Sequence, residues 1–130
     1  MNSVILLPGM ACDDEVFAHQ AAALRGLARV HVSTAHGRAA TLPEMAALLL
    51  QDLQAEHPGP LVLVGQSMGG MLALEVHRQA PRRVRAMALL GTTARPDTPE
   101  LIALRTQACA LYAAGRMDEG CRTGRRRART

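Results

Sequence analysis

The 130-residue sequence predicts an α/β fold, a short and mostly parallel sheet with helices on its faces. Two observations carry that expectation. Brief aliphatic runs alternate with stretches whose apolar residues recur at helical spacing, and short connections join them. A chain of that kind builds parallel strands with right-handed crossovers. Apolar residues make up 48% of the sequence, yet it holds one Phe, one Tyr and no Trp, so the core must be assembled from Ala, Leu, Val and Met. The length suits one domain, expected over residues 1–120.

Ser3 to Leu7 is a continuous aliphatic run closed by Pro8-Gly9, the pattern of a buried strand entering a loop. Asp13 and Asp14 can cap a helix from about Glu15 to Leu24, with Val16, Ala23, Leu24 and Leu27 available to face the sheet. Ala28 to Ser33 alternates as a second strand, and Thr34 to Ala40 is a polar loop. Thr41-Leu42-Pro43-Glu44 reads as a capping box, opening a helix with Met45, Leu48, Leu49 and Leu53 at helical spacing that stops before Pro58-Gly59-Pro60. Leu61 to Val64 is the third strand, Met68 to Gln79 a helix, and Val84 to Leu90 the fourth strand, ending at Gly91. Thr98-Pro99-Glu100 starts a last helix carrying Leu101, Leu104, Ala108 and Leu111.

All 15 basic residues are arginines, and the formal charge of +4 suggests at first an anionic partner. Its distribution argues otherwise. Residues 121–130 hold five arginines and no acid, so residues 1–120 carry 10 basic against 11 acidic groups, a net charge of −1. The excess belongs to an arginine-rich tail, expected to be disordered, and no nucleic-acid partner is expected. Cys12, Cys109 and Cys121 form no C-x-x-C pair and no metal-ligand spacing with the five histidines, so free thiols and no metal are expected. No apolar stretch is long enough to span a membrane, and the short Val4 to Leu7 run lacks a basic leader. A cytoplasmic protein without a membrane partner is the expectation.

The chemistry is concentrated at Gly65-Gln66-Ser67-Met68-Gly69-Gly70, set between the run Leu61–Val64 and a helical pattern. A strand, a sharp turn and a helix with serine at the apex is the setting the G-x-S-x-G nucleophile elbow requires. Gly65 and Gly69 are expected where strand and helix approach too closely for side chains. With Leu7-Pro8-Gly9-Met10 after the first strand and Leu89-Leu90-Gly91-Thr92 closing the fourth, the chain resembles the N-terminal half of an α/β-hydrolase, over about residues 3–117.

That resemblance implies Ser67 as the nucleophile and the backbone N–H groups of Met10 and Met68 as the oxyanion hole. It puts Phe17 in the place of the aromatic residue that follows the oxyanion loop, and gives Gln66 and Met68 side chains a part in shaping an acyl pocket. The implied reaction is hydrolysis of a small ester, thioester or amide, with a small-molecule acyl substrate and no cofactor. In the family an Asp or Glu and then a His follow the serine, but no histidine occurs after His77, ten residues up the elbow helix. Asp97 is the candidate acid, although Thr98-Pro99-Glu100 beside it also suits an ordinary helix start. Activity is therefore expected to be impaired, the later strands and lid to be missing, and the reading frame to be truncated or shifted near residue 121. The alternative is a non-catalytic fragment or pseudoenzyme acting by binding, with a homo-oligomer through an exposed sheet edge. The histidines read as solvated or capping residues, His36 alone being kept as a substrate-side contact, and the methionines as core filler.

Overall fold

The computed structural model describes residues 1–116, which divide into a unit of residues 1–94 and one that begins at Arg95. The arginine-rich stretch 121–130 lies outside the described residues.

The first unit is built on a four-stranded parallel sheet of β1 (Ser3–Leu7), β2 (Arg29–Val32), β3 (Leu61–Gln66) and β4 (Val84–Leu90), in the order β2-β1-β3-β4. Strand β1 is buried along its whole length between β2 and β3, which its uninterrupted aliphatic sequence anticipates. Its side chains alternate between two cores. Ile5 and Leu7 join Leu61 and Leu63 under α2 (Leu42–Glu56) and α3 (Met68–Gln79), where Leu49, Leu53, Leu72 and Val76 close the layer. Val4 and Leu6 face the other way, onto Phe17, Ala21 and Ala28 beside α1 (Ala18–Leu24).

The face of α1 departs from expectation in part, since of the residues expected on it Leu24 packs against this core. A 3-10 turn over Asp14–Phe17 precedes the helix, and its three residues per turn rotate the following positions relative to a continuous 3.6-residue spiral. Phe17 and Ala21 consequently take the buried positions, while Val16 is 41% and Leu27 76% exposed. Thr41 caps α2 as expected, accepting the Glu44 N–H at 3.3 Å. Its hydroxyl relieves one of the orphan N–H groups of the first turn.

Strand β4 carries a bulge. Leu61 pairs with Val84 and Val62 with Ala86, so Arg85 is the extra residue. The bulge turns Val84 and Met87, an odd number of positions apart, onto the same core. Ala86, Ala88, Leu89 and Leu90 are exposed, and β4 pairs on one side only among the described residues.

The second unit is α4 (Pro99–Ala113), whose Thr98 cap accepts the Leu101 N–H at 3.2 Å. No helix among the described residues is long and apolar enough to cross a membrane.

Candidate active site

Strand β3 runs into α3 without a loop, and the single residue between them is Ser67, at φ 55° and ψ −119°. This is a conformation that L-residues rarely adopt, and it turns the chain from strand to helix in one step. The glycines explain how the bend closes. A Cβ on Gly65 would sit 2.6 Å from Gly70 Cα, and one on Gly69 would strike the Leu7 carbonyl at the end of β1. Gly70 packs against the Thr92 side chain, where a Cβ would come within 2.6 Å.

The Ser67 backbone is held on both sides. Its N–H donates to the Leu90 carbonyl at 2.9 Å, and its own carbonyl accepts the Gly70 N–H at 3.0 Å and the Thr92 hydroxyl at 2.7 Å. The side chain is exposed and does not cap α3, so the hydroxyl is not spent on the helix it precedes. The first N–H groups of α3 thus remain at the positive end of the helix dipole.

Beside the serine lies the loop after β1. Gly9 is buried, and a Cβ on it would stand 3.2 Å from Ser67 Cβ. Its N–H donates to Gln66 Oε1 at 3.0 Å, across 57 residues of sequence. Cys12 N–H closes the turn onto the Gly9 carbonyl at 3.2 Å, with Ala11 at φ 58°, and the Cys12 carbonyl lies 2.7 Å from His36 Nε2. Among the described residues, the N–H groups of Met10 and Met68 are left without an acceptor.

The side chains picked out beforehand are only partly gathered here. Met10, Met68, Gly65, Gly69 and Ser67 share this corner, whereas Asp97 belongs to the second unit. There its Oδ2 lies 2.8 Å from Arg105 Nε and its Oδ1 accepts a hydrogen bond from Arg105 Nη2 at 3.4 Å. His77 is exposed in the last turn of α3. His57 is buried at the far end of the sheet, its Nδ1 2.9 Å from Ser3 Oγ and its ring edge-on to His31. Desolvation, aided by Arg29, His31 and Arg83, pushes His57 below the ordinary imidazole range, against the opposite pull of Glu56. No imidazole hydrogen-bonds the Ser67 hydroxyl among the described residues, nor do three potential metal ligands cluster there.

Three contacts were not legible beforehand. His36 Nε2 bonds the Cys12 carbonyl, and Gln66 Oε1 holds the Gly9 N–H. Thr92 grips the elbow. A cleft of about 410 Å³ on α2, lined by Arg38, Glu44, Leu48 and Gln51 among others, contains none of these residues and is not the candidate site.

Comparison with known proteins agrees with the fold. The model of the thioesterase domain family matches residues 2–110. A pimeloyl-[acyl-carrier protein] methyl ester esterase of Chromobacterium violaceum is 35% identical over 95 residues, which are 71% of this chain and 37% of that protein. A homoserine O-acetyltransferase of Geobacter sulfurreducens is 48% identical over 62 residues, 48% of this chain and 16% of that enzyme. Among solved structures, a thermophilic esterase from Thermogutta terrifontis superposes with a TM-score of 0.72 at 28% identity, over 85% of this chain and 44% of that one. An extracellular α/β-hydrolase from a Paenibacillus species, 19% identical, shares the fold with a TM-score of 0.69 over 85% of this chain and 52% of its own. The chain spans less than half the length of the curated relatives it matches.

Proposed function

The chain belongs to the thioesterase-domain family of α/β-hydrolases, and we propose that it hydrolyses a small carboxylic ester, thioester or amide through an acyl-enzyme on Ser67. One observation carries the reading. An exposed serine at φ 55° sits at the junction of a buried strand and a helix, against a loop with a spare N–H. Ser67 Oγ bonds to the acyl carbon, and the alcohol, thiol or amine leaves with the serine proton. Water then releases the acid and restores the hydroxyl. The N–H groups of Met10 and Met68 receive the oxyanion, and one such donor is commonly worth about 2.7–4 kcal/mol.

A serine hydroxyl without a base is a weak nucleophile. The base in this reading comes from outside the described residues, in this chain or a second one. Asp97, paired with Arg105, is the candidate acid of this reading. The edge of β4, apolar from Ala86 to Leu90, is where a homo-oligomer would form. Binding without turnover is the second reading, favoured by the lack of an imidazole on Ser67 among the described residues.

Incubation of the full chain with a fluorophosphonate, followed by peptide mapping, tests the proposal. An adduct on Ser67 that is absent from Ser67→Ala supports a nucleophile, and hydrolysis of p-nitrophenyl acetate that depends on Ser67 supports turnover. An adduct with no turnover selects the binding reading. No Ser67 adduct at all refutes the nucleophile.

A further inference from the structure

Resting on the assignment of Ser67 as nucleophile, we propose that Gln66 and His36 are positioning residues that clamp the turn Gly9–Cys12 from its two ends. Their work is to hold the Met10 N–H towards the acyl oxygen bound at Ser67. The turn follows the C-terminal end of β1, and although Gly9 is buried, Met10 and Ala11 are exposed, so burial alone does not order it. Its conformation also needs Ala11 at positive φ, which alanine adopts only against resistance.

Two side chains from elsewhere in the sequence supply the missing constraint. Gln66 Oε1 accepts the Gly9 N–H at 3.0 Å, and a Cβ on Gly9 would approach that same oxygen to 2.8 Å, so the contact is set at the backbone itself. At the other end His36 Nε2 is 2.7 Å from the Cys12 carbonyl. A carbonyl only accepts, so Nε2 carries the proton.

Both anchors stand on rigid parts. Gln66 is the last residue of β3, the residue before Ser67, so the elbow and the turn are tied through one side chain. His36 rides on the 3-10 turn Ala35–Gly37. That turn begins where the Ser33 hydroxyl accepts the Ala35 N–H at 3.1 Å, and Ser33 N–H is itself bonded to the Leu6 carbonyl of β1 at 2.9 Å. The clamp also sorts the donors. Gly9 N–H is taken by Gln66 and Cys12 N–H by the Gly9 carbonyl, which leaves the N–H groups of Met10 and Ala11, and of these Met10 is next in the chain to the residue that abuts Ser67. Donors fixed before reaction need no reorganisation as charge develops, whereas a displacement near 1 Å can cost about a hundredfold in rate.

The test uses the full chain and its Gln66→Met, His36→Ala and His36→Gln variants. Gln66→Met keeps the length of the side chain without the acceptor, and His36→Gln keeps an N–H donor at the same reach. Fluorophosphonate labelling forms a Ser67 Oγ–P bond as the P–F bond breaks, fluoride leaving and the serine proton passing to solvent. It places a phosphoryl oxygen where the acyl oxygen would lie. Gln66→Met and His36→Ala are each expected to slow labelling at least about tenfold and to move the ³¹P resonance of the adduct, with both variants still unfolding in a single urea transition. His36→Gln is expected to return the rate to within about threefold of the parent. A ³¹P shift and a rate that stay unchanged in both loss variants would overturn the clamp. If the parent itself is not labelled, the nucleophile reading fails and amide exchange decides the clamp separately. Exchange at Gly9 and Cys12 accelerated about tenfold in the loss variants supports it, and unaltered exchange refutes it. If Gln66→Met does not fold, the two His36 variants carry the same decision.

Discussion

The Thr92 hydroxyl donates to the Ser67 carbonyl oxygen at 2.7 Å, joining the segment after β4 to the apex of the turn after β3. That carbonyl also accepts the Gly70 N–H at 3.0 Å, and the Thr92 side chain fills the space a Cβ on Gly70 would need. One residue therefore fixes the elbow peptide and the first turn of α3 together.

Replacing Thr92 with valine keeps the shape and removes the donor. Because Gly70 N–H still satisfies the carbonyl, Thr92→Val is expected to cost about 1 kcal/mol in stability, the net worth of one hydrogen bond. Urea denaturation measures this, and a loss above about 3 kcal/mol would mean that Thr92 does more than hold that oxygen.

Ser67→Gly is expected to raise stability by about 1 kcal/mol while abolishing covalent labelling. A side chain at φ 55° costs on the order of 1–3 kcal/mol, which exceeds the unfolded-state entropy that glycine adds. The hydroxyl is exposed and caps nothing, so no contact is lost with it. A glycine variant less stable than the parent in urea would show that the backbone at this corner is not strained.

Acid should weaken the fold through His57, which is 6% exposed and hydrogen-bonded to Ser3. Its folded pKa is lowered below 6.5 by burial and by neighbouring Arg29, so below that pH the unfolded chain binds the proton more readily than the native one. Stability is then fully present above pH 6.5 and falls as pH drops below it towards the folded pKa. Denaturation midpoints between pH 5 and 8 should show this slope, and His57→Gln should flatten it. An equal slope in the variant would assign the effect to other groups.

Much of the architecture is legible in local pattern. The aliphatic run of β1, the Thr41 cap, the spans of α3 and β4 and the elbow motif each rest on residues close in sequence, where steric and capping rules act directly. The apolar face of α1 was legible only at Leu24, because the 3-10 turn ahead of the helix shifts the phase and puts Phe17 and Ala21 inside while Val16 and Leu27 stay exposed. The role of His36 was hidden for a different reason. Its partner is a backbone carbonyl 24 residues away, and no spacing rule encodes a carbonyl.

The sequence by itself determined a strand-to-helix bend with serine at its tip and glycines where backbones must touch, since those demands are met within six consecutive residues. Only the tertiary structure decided what surrounds that tip. Parallel pairing of β1, β3 and β4 brings Gly9, Ser67 and Thr92 to one end of the sheet, and the bulge at Arg85 sets which side chains of β4 face the core. Such contacts arise from strand register and close packing, which depend on all the strands at once and leave no signature in any single stretch of chain.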